Sequence, residues 1–215
     1  MALPIKFSPF LLLVLLSVSP RPVTAESPSK NLLLDNLGQF TTASREKKGI
    51  VASRYVDPQI FEYFQYIRDS AINMNKETLQ KKPLYDQMQV LSFRGALNDQ
   101  RFFELPGKQI FIELVNHGTF AGKPVDRNLF GQPNIINTKT AQLPFVIDGV
   151  EVGSYFEFVK VEEVWVISMK QLITAFDGIE KQLVENGNLE SYLEHVYSNL
   201  FEERSYQDLW LPLRE

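Results

Sequence analysis

The segment 139–169 contains three apolar runs separated by turn signals, and the rest of the chain must pack against whatever these runs form. The runs span roughly 139–147, 150–160 and 163–169. Between the first two lies Asp148-Gly149, a dipeptide typical of two-residue hairpin turns. A second tight connection, Val161-Glu162-Glu163, leads into the third run. The pattern predicts three consecutive antiparallel strands, with Gly153 and the prolines as places for bends or bulges.

Helical periodicity precedes and follows these strands. Asp57 and Pro58 are typical of a helix start, and apolar residues at helical spacing continue to about Asn73. A weaker helical pattern over 32–40 is interrupted by Gly38. Further helices are predicted from Pro83 to about Gly95, over 107–118, over 172–184 and from Leu189 to Phe201. This order indicates an α+β fold, in which a cone-shaped, curved antiparallel sheet packs on amino-terminal helices and extra helices follow at the carboxyl end.

The first 25 residues are typical of a secretory signal peptide. Lys6 supplies the positive charge, residues 10–18 form a short apolar core, and Ala25 ends a small-residue cleavage motif. The apolar run is well short of the roughly 20 residues that span a bilayer. We therefore expect cleavage before Glu26 and a periplasmic or secreted protein without a stable membrane anchor.

Composition excludes several classes of function. The chain has no cysteine, which removes disulfides, thiol catalysis, thiolate metal sites and a lipoprotein anchor. Without Lys6 and Arg21, 20 basic residues face 26 acidic ones, a balance of about −6. That balance argues against a nucleic-acid partner and against simple electrostatic adhesion to anionic lipid. The roughly 190 remaining residues are enough to stabilise one domain through its core.

Several positions at matching intervals support a resemblance to a known family. They are Leu91, Arg94, Val115, Asn116, Gly118, Phe156, Phe158, Lys160 and Trp165. In this arrangement the chain resembles the nuclear-transport-factor-2-like superfamily, and within it a group of bacterial members, over about 54–175. The acidic turn at 161–163 departs from the glycine-containing turn usual there. The resemblance implies a domain over 54–175, which leaves the signal peptide (1–25), an amino-terminal, partly helical segment (26–53) and a carboxy-terminal helical extension and tail (176–215) outside it.

The helical extension adds a second, architectural likeness. The periplasmic phospholipid carrier of the outer-membrane lipid-asymmetry system is also a cone whose sheet ends in a Trp strand followed by helices. These resemblances imply a fold shared by isomerases, dehydratases, carriers and assembly modules, so they do not select one function.

No high-specificity catalytic motif occurs in the chain. The sequence lacks a nucleophile elbow, a phosphate-binding loop and a dinucleotide fingerprint. The only histidines, His117 and His195, belong to no metal-ligand spacing. No metal or cofactor is therefore expected.

Four residues are candidates for ligand binding. Arg94 has two interpretations: it holds an anionic headgroup or carboxylate inside the cone, or it pairs with Asp99 or Glu104. Tyr155 and Glu157 lie on the strand face opposite Phe156 and Phe158, and either face could point inward. If Glu157 points inward it supplies an acid or base with Tyr155. Trp165 belongs with the phenylalanines, as core or as cavity wall.

The tail offers a different kind of site. Tyr206 and Trp210 either dock on the domain or anchor a partner protein. The expectation from all these features is a non-enzymatic exported protein that binds an apolar small molecule, a lipid or an envelope protein. The alternative is a small cone-fold enzyme of the isomerase or dehydratase kind, which would use Glu157 or Tyr155 with Arg94. A homodimer through the sheet is possible unless the extra helices cover that surface.

Overall fold

The computed structural model describes residues 28–96, 100–168, 183–201 and 205–213. The predicted signal peptide and most of the helix predicted over 172–184 lie outside these residues. The chain forms two compact units, each built from separated segments. The described part of the sheet unit is 28–60 and 111–168, and that of the helical unit is 61–96, 100–110, 183–201 and 205–213. These boundaries differ from the predicted limits at 54 and 175.

A four-stranded antiparallel sheet dominates the sheet unit. Its strands are β1 (Asn134–Asn137), β2 (Thr140–Ile147), β3 (Val150–Val161) and β4 (Val164–Ser168), and they neighbour one another in chain order. The three predicted strands are confirmed as β2, β3 and β4, and the α+β class with them. Strand β1 was not predicted, because four residues with asparagine at both ends carry too little alternation to indicate a strand.

A bulge interrupts the pairing of β2 with β3. Pro144 pairs with Tyr155 and Val146 with Glu151, so three residues of β3 lie opposite one of β2. Gly153 lies in this stretch with a φ of 76°, a conformation that side chains other than glycine rarely adopt. The prediction of a bulge at Gly153 is confirmed.

The register separates an apolar sheet face from a more polar one. Phe158 pairs with Ile167 and Lys160 with Trp165, so these side chains share a face. On that face Ala141, Leu143, Phe158, Trp165 and Ile167 are each no more than 8% exposed. Glu157 pairs with Gln142 and Ser168 on the other face. The face shared by Phe158, Trp165 and Ile167 is thus packed core.

Helix α1 (Lys30–Arg45) packs against β4 in the sheet unit. The side-chain amide of Asn36 donates a 2.7 Å hydrogen bond to the carbonyl oxygen of Trp165. A short helix α2 (Gly49–Ala52) follows. The outer edge of β4 is bridged in parallel by Val56, through hydrogen bonds from Asp57 N to Ile167 O at 2.9 Å and from Ile167 N to Tyr55 O at 2.8 Å.

Helices make up the other unit. They are α3 (Gln59–Asn73), α4 (Lys76–Leu79), α5 (Leu84–Ala96), α6 (Gly107–Asn116) and α7 (Leu189–Leu200), with a 3₁₀ turn at Asp208–Trp210. The boundaries between the two units fall within α3 and α6. The predicted helices that began near Asp57, Pro83 and 107 are confirmed, and Asp57 Oδ1 accepts a 3.0 Å hydrogen bond from Gln59 N as a cap.

The turn between β3 and β4 is strained. Glu162 and Glu163 both have positive φ, 46° and 68°, where asparagine and glycine are preferred. We expect the double change Glu162→Asn and Glu163→Gly to raise the melting temperature by roughly 3–6 °C. Thermal unfolding followed by circular dichroism checks this.

The control for the turn is Glu163→Ala, which removes one of the two carboxylates, the one that pairs with Lys160, without relieving the backbone. This exposed pair contributes little. A gain from alanine equal to the gain from asparagine and glycine would show that the charge, not the turn, limits stability.

Candidate functional site

Arg94 lies buried in the helical unit and is not placed to hold a ligand. Its side chain is 0% exposed. All five of its N–H donors are used by main-chain carbonyls at the end of α3 and in the tail. Nε donates to Ala71 at 3.0 Å, one terminal nitrogen donates to Leu209 at 3.2 Å and Trp210 at 2.9 Å, and the other donates to Ser70 at 3.2 Å and to Met74.

These carbonyl contacts give no support to the anionic-ligand interpretation of Arg94. Of the two acids predicted as alternative partners, Asp99 lies outside the described residues. Burial lowers the pKa of Arg94 to about 10, so the guanidinium stays charged at neutral pH. A buried charge of this kind is tolerated because its hydrogen bonds are satisfied, and it joins α3 to the tail.

The two tail aromatics dock on the protein. Tyr206 is 4% and Trp210 2% exposed, and their rings meet edge to face with centroids 6.0 Å apart. Lys76 Nζ lies 5.4 Å from the Trp210 ring. Of the two interpretations of this tail, the docked one holds, and Tyr206 and Trp210 are not presented to a partner.

Trp165 is core rather than cavity wall, since it is buried on the apolar sheet face. Beyond it, Phe130, Phe145 and Phe156 form an aromatic cluster with ring centroids 4.8 to 6.1 Å apart. Phe130 also joins Phe145 through an isolated bridge. Ring packing of this kind explains the aromatic content of the sheet unit as structural.

Tyr155 and Glu157 share the more polar sheet face. Both are half-buried. Burial, followed by the carboxylate of Glu157, raises the pKa of Tyr155, while a hydrogen bond with the Gln142 side chain lowers it. A tyrosine whose pKa is raised remains a hydrogen-bond donor at neutral pH and is a poor base. Arg94, the third member of the predicted enzyme site, is committed to carbonyls as described above.

Neither histidine indicates a metal site. His117 and His195 are both exposed. Within the described residues, no cluster of three or more imidazole and carboxylate groups is placed to bind a metal ion. None of the helices in this part of the chain has the length and apolar character needed to cross a bilayer.

A cleft in the sheet unit is a concave site formed by described residues. Its volume is about 260 Å³, it is open to solvent, and its lining is divided between polar and apolar atoms. One wall is a face of α1 and the other is the loop before β1. The lining includes Leu34, Gly38, Thr41 and Thr42 on α1 and Pro124 and Val125 on the loop.

Two contacts fix the loop against α1. The exposed Arg127 guanidinium pairs with Asp35, and both residues also line the cleft. At the start of α1, Lys30 Nζ donates to the carbonyl oxygen of Phe130. Charged donors thus attach the loop to α1 at two positions, Lys30 and Asp35, in the first turns of the helix.

Gly38 lies beside the open space of this cleft. It lies in the middle of α1, and a Cβ added there would meet nothing within 4 Å. Glycine within a helix costs about 1 kcal/mol relative to alanine. The sequence contained this signal, a glycine interrupting an apolar helix, although by itself it lowered the expectation of a helix and did not indicate a cleft.

The chain matches no protein-family model, no curated protein and no solved structure. The fold and the cleft therefore stand on the structure itself, and assignment to a family does not follow from these comparisons.

Proposed function

We propose that this is an exported, non-enzymatic binding protein that holds a segment of a partner protein in the α1 cleft. The observation that carries the proposal is the open space at Gly38, retained within a helix at a cost in stability. The cleft offers hydroxyl groups, an amide and a paired Asp35 and Arg127 around a small apolar floor at Leu34. Such a mixed lining suits the side chains and main chain of a peptide.

The size of the cleft favours a peptide segment over a lipid. Sites for small molecules usually measure 300–1,000 Å³ and enclose most of the ligand. This cleft measures about 260 Å³ and is open. An acyl chain needs a longer apolar cavity, and the apolar face of the sheet is already filled by its own side chains. The carrier alternative accordingly has less support.

The proposal also includes export after signal-peptide cleavage and membership of the nuclear-transport-factor-2-like superfamily. Cleavage after Ala25 would leave Ser29, whose hydroxyl caps α1, and the whole helix intact. An antiparallel meander packed beside helices is compatible with the nuclear-transport-factor-2-like superfamily and with a cone-shaped sheet. The intact mass of the protein recovered from the envelope tests cleavage, because the predicted mature chain begins at Glu26.

The enzyme alternative rests on Tyr155 and Glu157. Their shared face and the raised pKa of Tyr155 support a hydrogen-bonding site. Catalysis of the isomerase kind also needs a base in an enclosed pocket, and both side chains here are half-exposed on a sheet face. We therefore rank this function second.

Site-specific photocrosslinking in cells tests the cleft. A photoreactive residue replaces Gln39, which lines the cleft, or Asn31, an exposed position of α1 outside it. We expect one discrete protein adduct from position 39 and none from position 31. Native mass spectrometry and organic extraction of the same preparation show whether a lipid is bound to the protein.

Gly38→Leu supplies the blocking variant and Gly38→Ala its control. Both residues favour the helix and should stabilise the fold by about 1 kcal/mol, but only leucine fills the cleft. The adduct should disappear with leucine and persist with alanine. An adduct unaffected by leucine, or a stoichiometric lipid, would contradict the proposal.

A further inference from the structure

The connection from α1 to α2 forms a basic surface on an acidic protein. Arg45, Lys47, Lys48 and Arg54 are all exposed, and Glu46 is the one acid between 45 and 54. Glu46 pairs with Lys48 at 2.7 Å, which leaves a net charge of +3 over this segment, here called the basic turn. Salt screens exposed charges beyond about 8–10 Å, so a surface in contact experiences this charge more than the acidic total.

An apolar side chain protrudes from the same turn. Ile50 is 64% exposed, the largest fraction among the exposed large hydrophobic residues of the described chain. It is the second residue of the four-residue α2 and follows Lys48 and Gly49 in the chain. A single exposed isoleucine needs no explanation by itself, but here it is surrounded in the chain by four cations.

Lys47 occupies a backbone position that favours glycine. It has a φ of 57° and follows α1, where Lys48 N bonds to Ala43 O at 2.8 Å and Lys47 N to Ser44 O at 3.2 Å. This is the Schellman arrangement, in which the residue at Lys47 is usually glycine. A strained residue of this kind points to a use for the side chain it carries.

Contacts with α6 hold the basic turn in place. The Asn116 side chain accepts a 2.9 Å hydrogen bond from Gly49 N, and a Cβ at Gly49 would collide with the carbonyl oxygen of Ile112. Gly49 is buried while Ile50 and Lys48 on either side of it are exposed. The backbone thus presents the apolar and basic side chains outward in a fixed arrangement.

We propose that the basic turn attaches the protein reversibly to an anionic phospholipid bilayer. Its cations lie at the headgroups and Ile50 enters the boundary between headgroups and acyl chains. Four exposed cations that flank a protruding apolar residue in the chain combine the two features that attach proteins to anionic membrane surfaces, charge for the headgroups and an apolar group for the acyl boundary. The overall negative charge argued against adhesion to anionic lipid, whereas this proposal rests on the local charge of +3 in the basic turn.

Flotation with lipid vesicles tests the attachment. The protein is used as recovered after export, and all variants carry the same amino terminus, because residues 10–18 would enter a bilayer themselves. We expect binding to phosphatidylglycerol vesicles, release by added salt, and little binding to phosphatidylcholine vesicles. Removing one basic residue should weaken partitioning roughly five-fold.

The variants separate a membrane role from a structural one. Lys47→Gly removes a charge but relieves the backbone, so it should weaken binding while raising the melting temperature. Ile50→Ser should weaken binding at unchanged stability, since the side chain is exposed. Lys81→Ala removes an exposed charge in the helical unit and should have no effect.

Three results would overturn the proposal. They are equal binding to neutral and anionic vesicles, an equal loss from Lys47→Gly and Lys81→Ala, and no binding to anionic vesicles at low salt. The last of these would assign the basic turn to an acidic protein partner instead.

Discussion

Replacing Arg94 by methionine is expected to lower the free energy of unfolding by about 3–5 kcal/mol, the largest loss from any single side chain considered. Methionine fills most of the space but removes a donor from five carbonyl groups. Two of them keep a backbone donor, Ser70 O from Met74 N at 2.9 Å and Ala71 O from Leu213 N at 3.2 Å, and the other three are left without the donor described here. Each buried unpaired group costs about 1–3 kcal/mol, and relaxation and water recover part of that sum. Urea unfolding followed by circular dichroism measures the change.

Two further variants make the Arg94 prediction specific. Arg94→Lys keeps the charge with three donors and should cost clearly less than methionine. Arg68→Met removes a half-buried arginine that donates to Leu105 O and pairs with the exposed Asp69, and about 1 kcal/mol is expected there. A loss below 1 kcal/mol for Arg94→Met would mean that the tail and α3 are held together by other contacts.

Gly107→Ala is expected to cost about 3 kcal/mol or more. A Cβ at this position would collide with the carbonyl oxygen of Phe61 and lie 2.7 Å from the backbone nitrogen of Gln65. These are main-chain atoms of α3, which cannot turn aside as a side chain can. The start of α6 would have to move away from α3, and the 2.9 Å hydrogen bond from Gly107 N to Gln65 Oε1 would be lost.

The control for Gly107→Ala is the same substitution at Gly38. Alanine at Gly38 meets open space and should stabilise the protein by about 1 kcal/mol. The two glycines therefore respond with opposite signs in the same unfolding experiment. A neutral Gly107→Ala would show that α3 and α6 approach each other less closely than described.

Local chemistry explains which parts of the fold were predictable. Asp148-Gly149 and Asp57-Pro58 specify a turn and a helix start through their own backbone preferences, and both are confirmed. Gly153 specifies its bulge in the same way. Strand β1 was missed because only its pairing with β2 makes Asn134–Asn137 a strand.

The sites were less predictable because they depend on contacts distant in the chain. Arg94 looks from its sequence neighbours like a ligand or ion-pair residue, yet its partners Leu209 and Trp210 follow 115 and 116 positions later. The cleft joins α1 to a loop more than eighty positions away, at Val125. Gly38 was visible as an irregularity, but the space around it is a property of both walls.

The contacts of Arg94 also set an order of folding. Its guanidinium joins α3 to carbonyls of the tail, and the strands of the sheet lie between them in the chain. Bringing together residues this far apart in the chain costs conformational entropy, which lowers the folding rate. It also requires the tail to be present. Until the tail has been synthesised, the Arg94 guanidinium lacks two of its carbonyl partners, so α3 and α5 cannot reach their final packing. The helical unit is therefore complete only when the tail has joined α3.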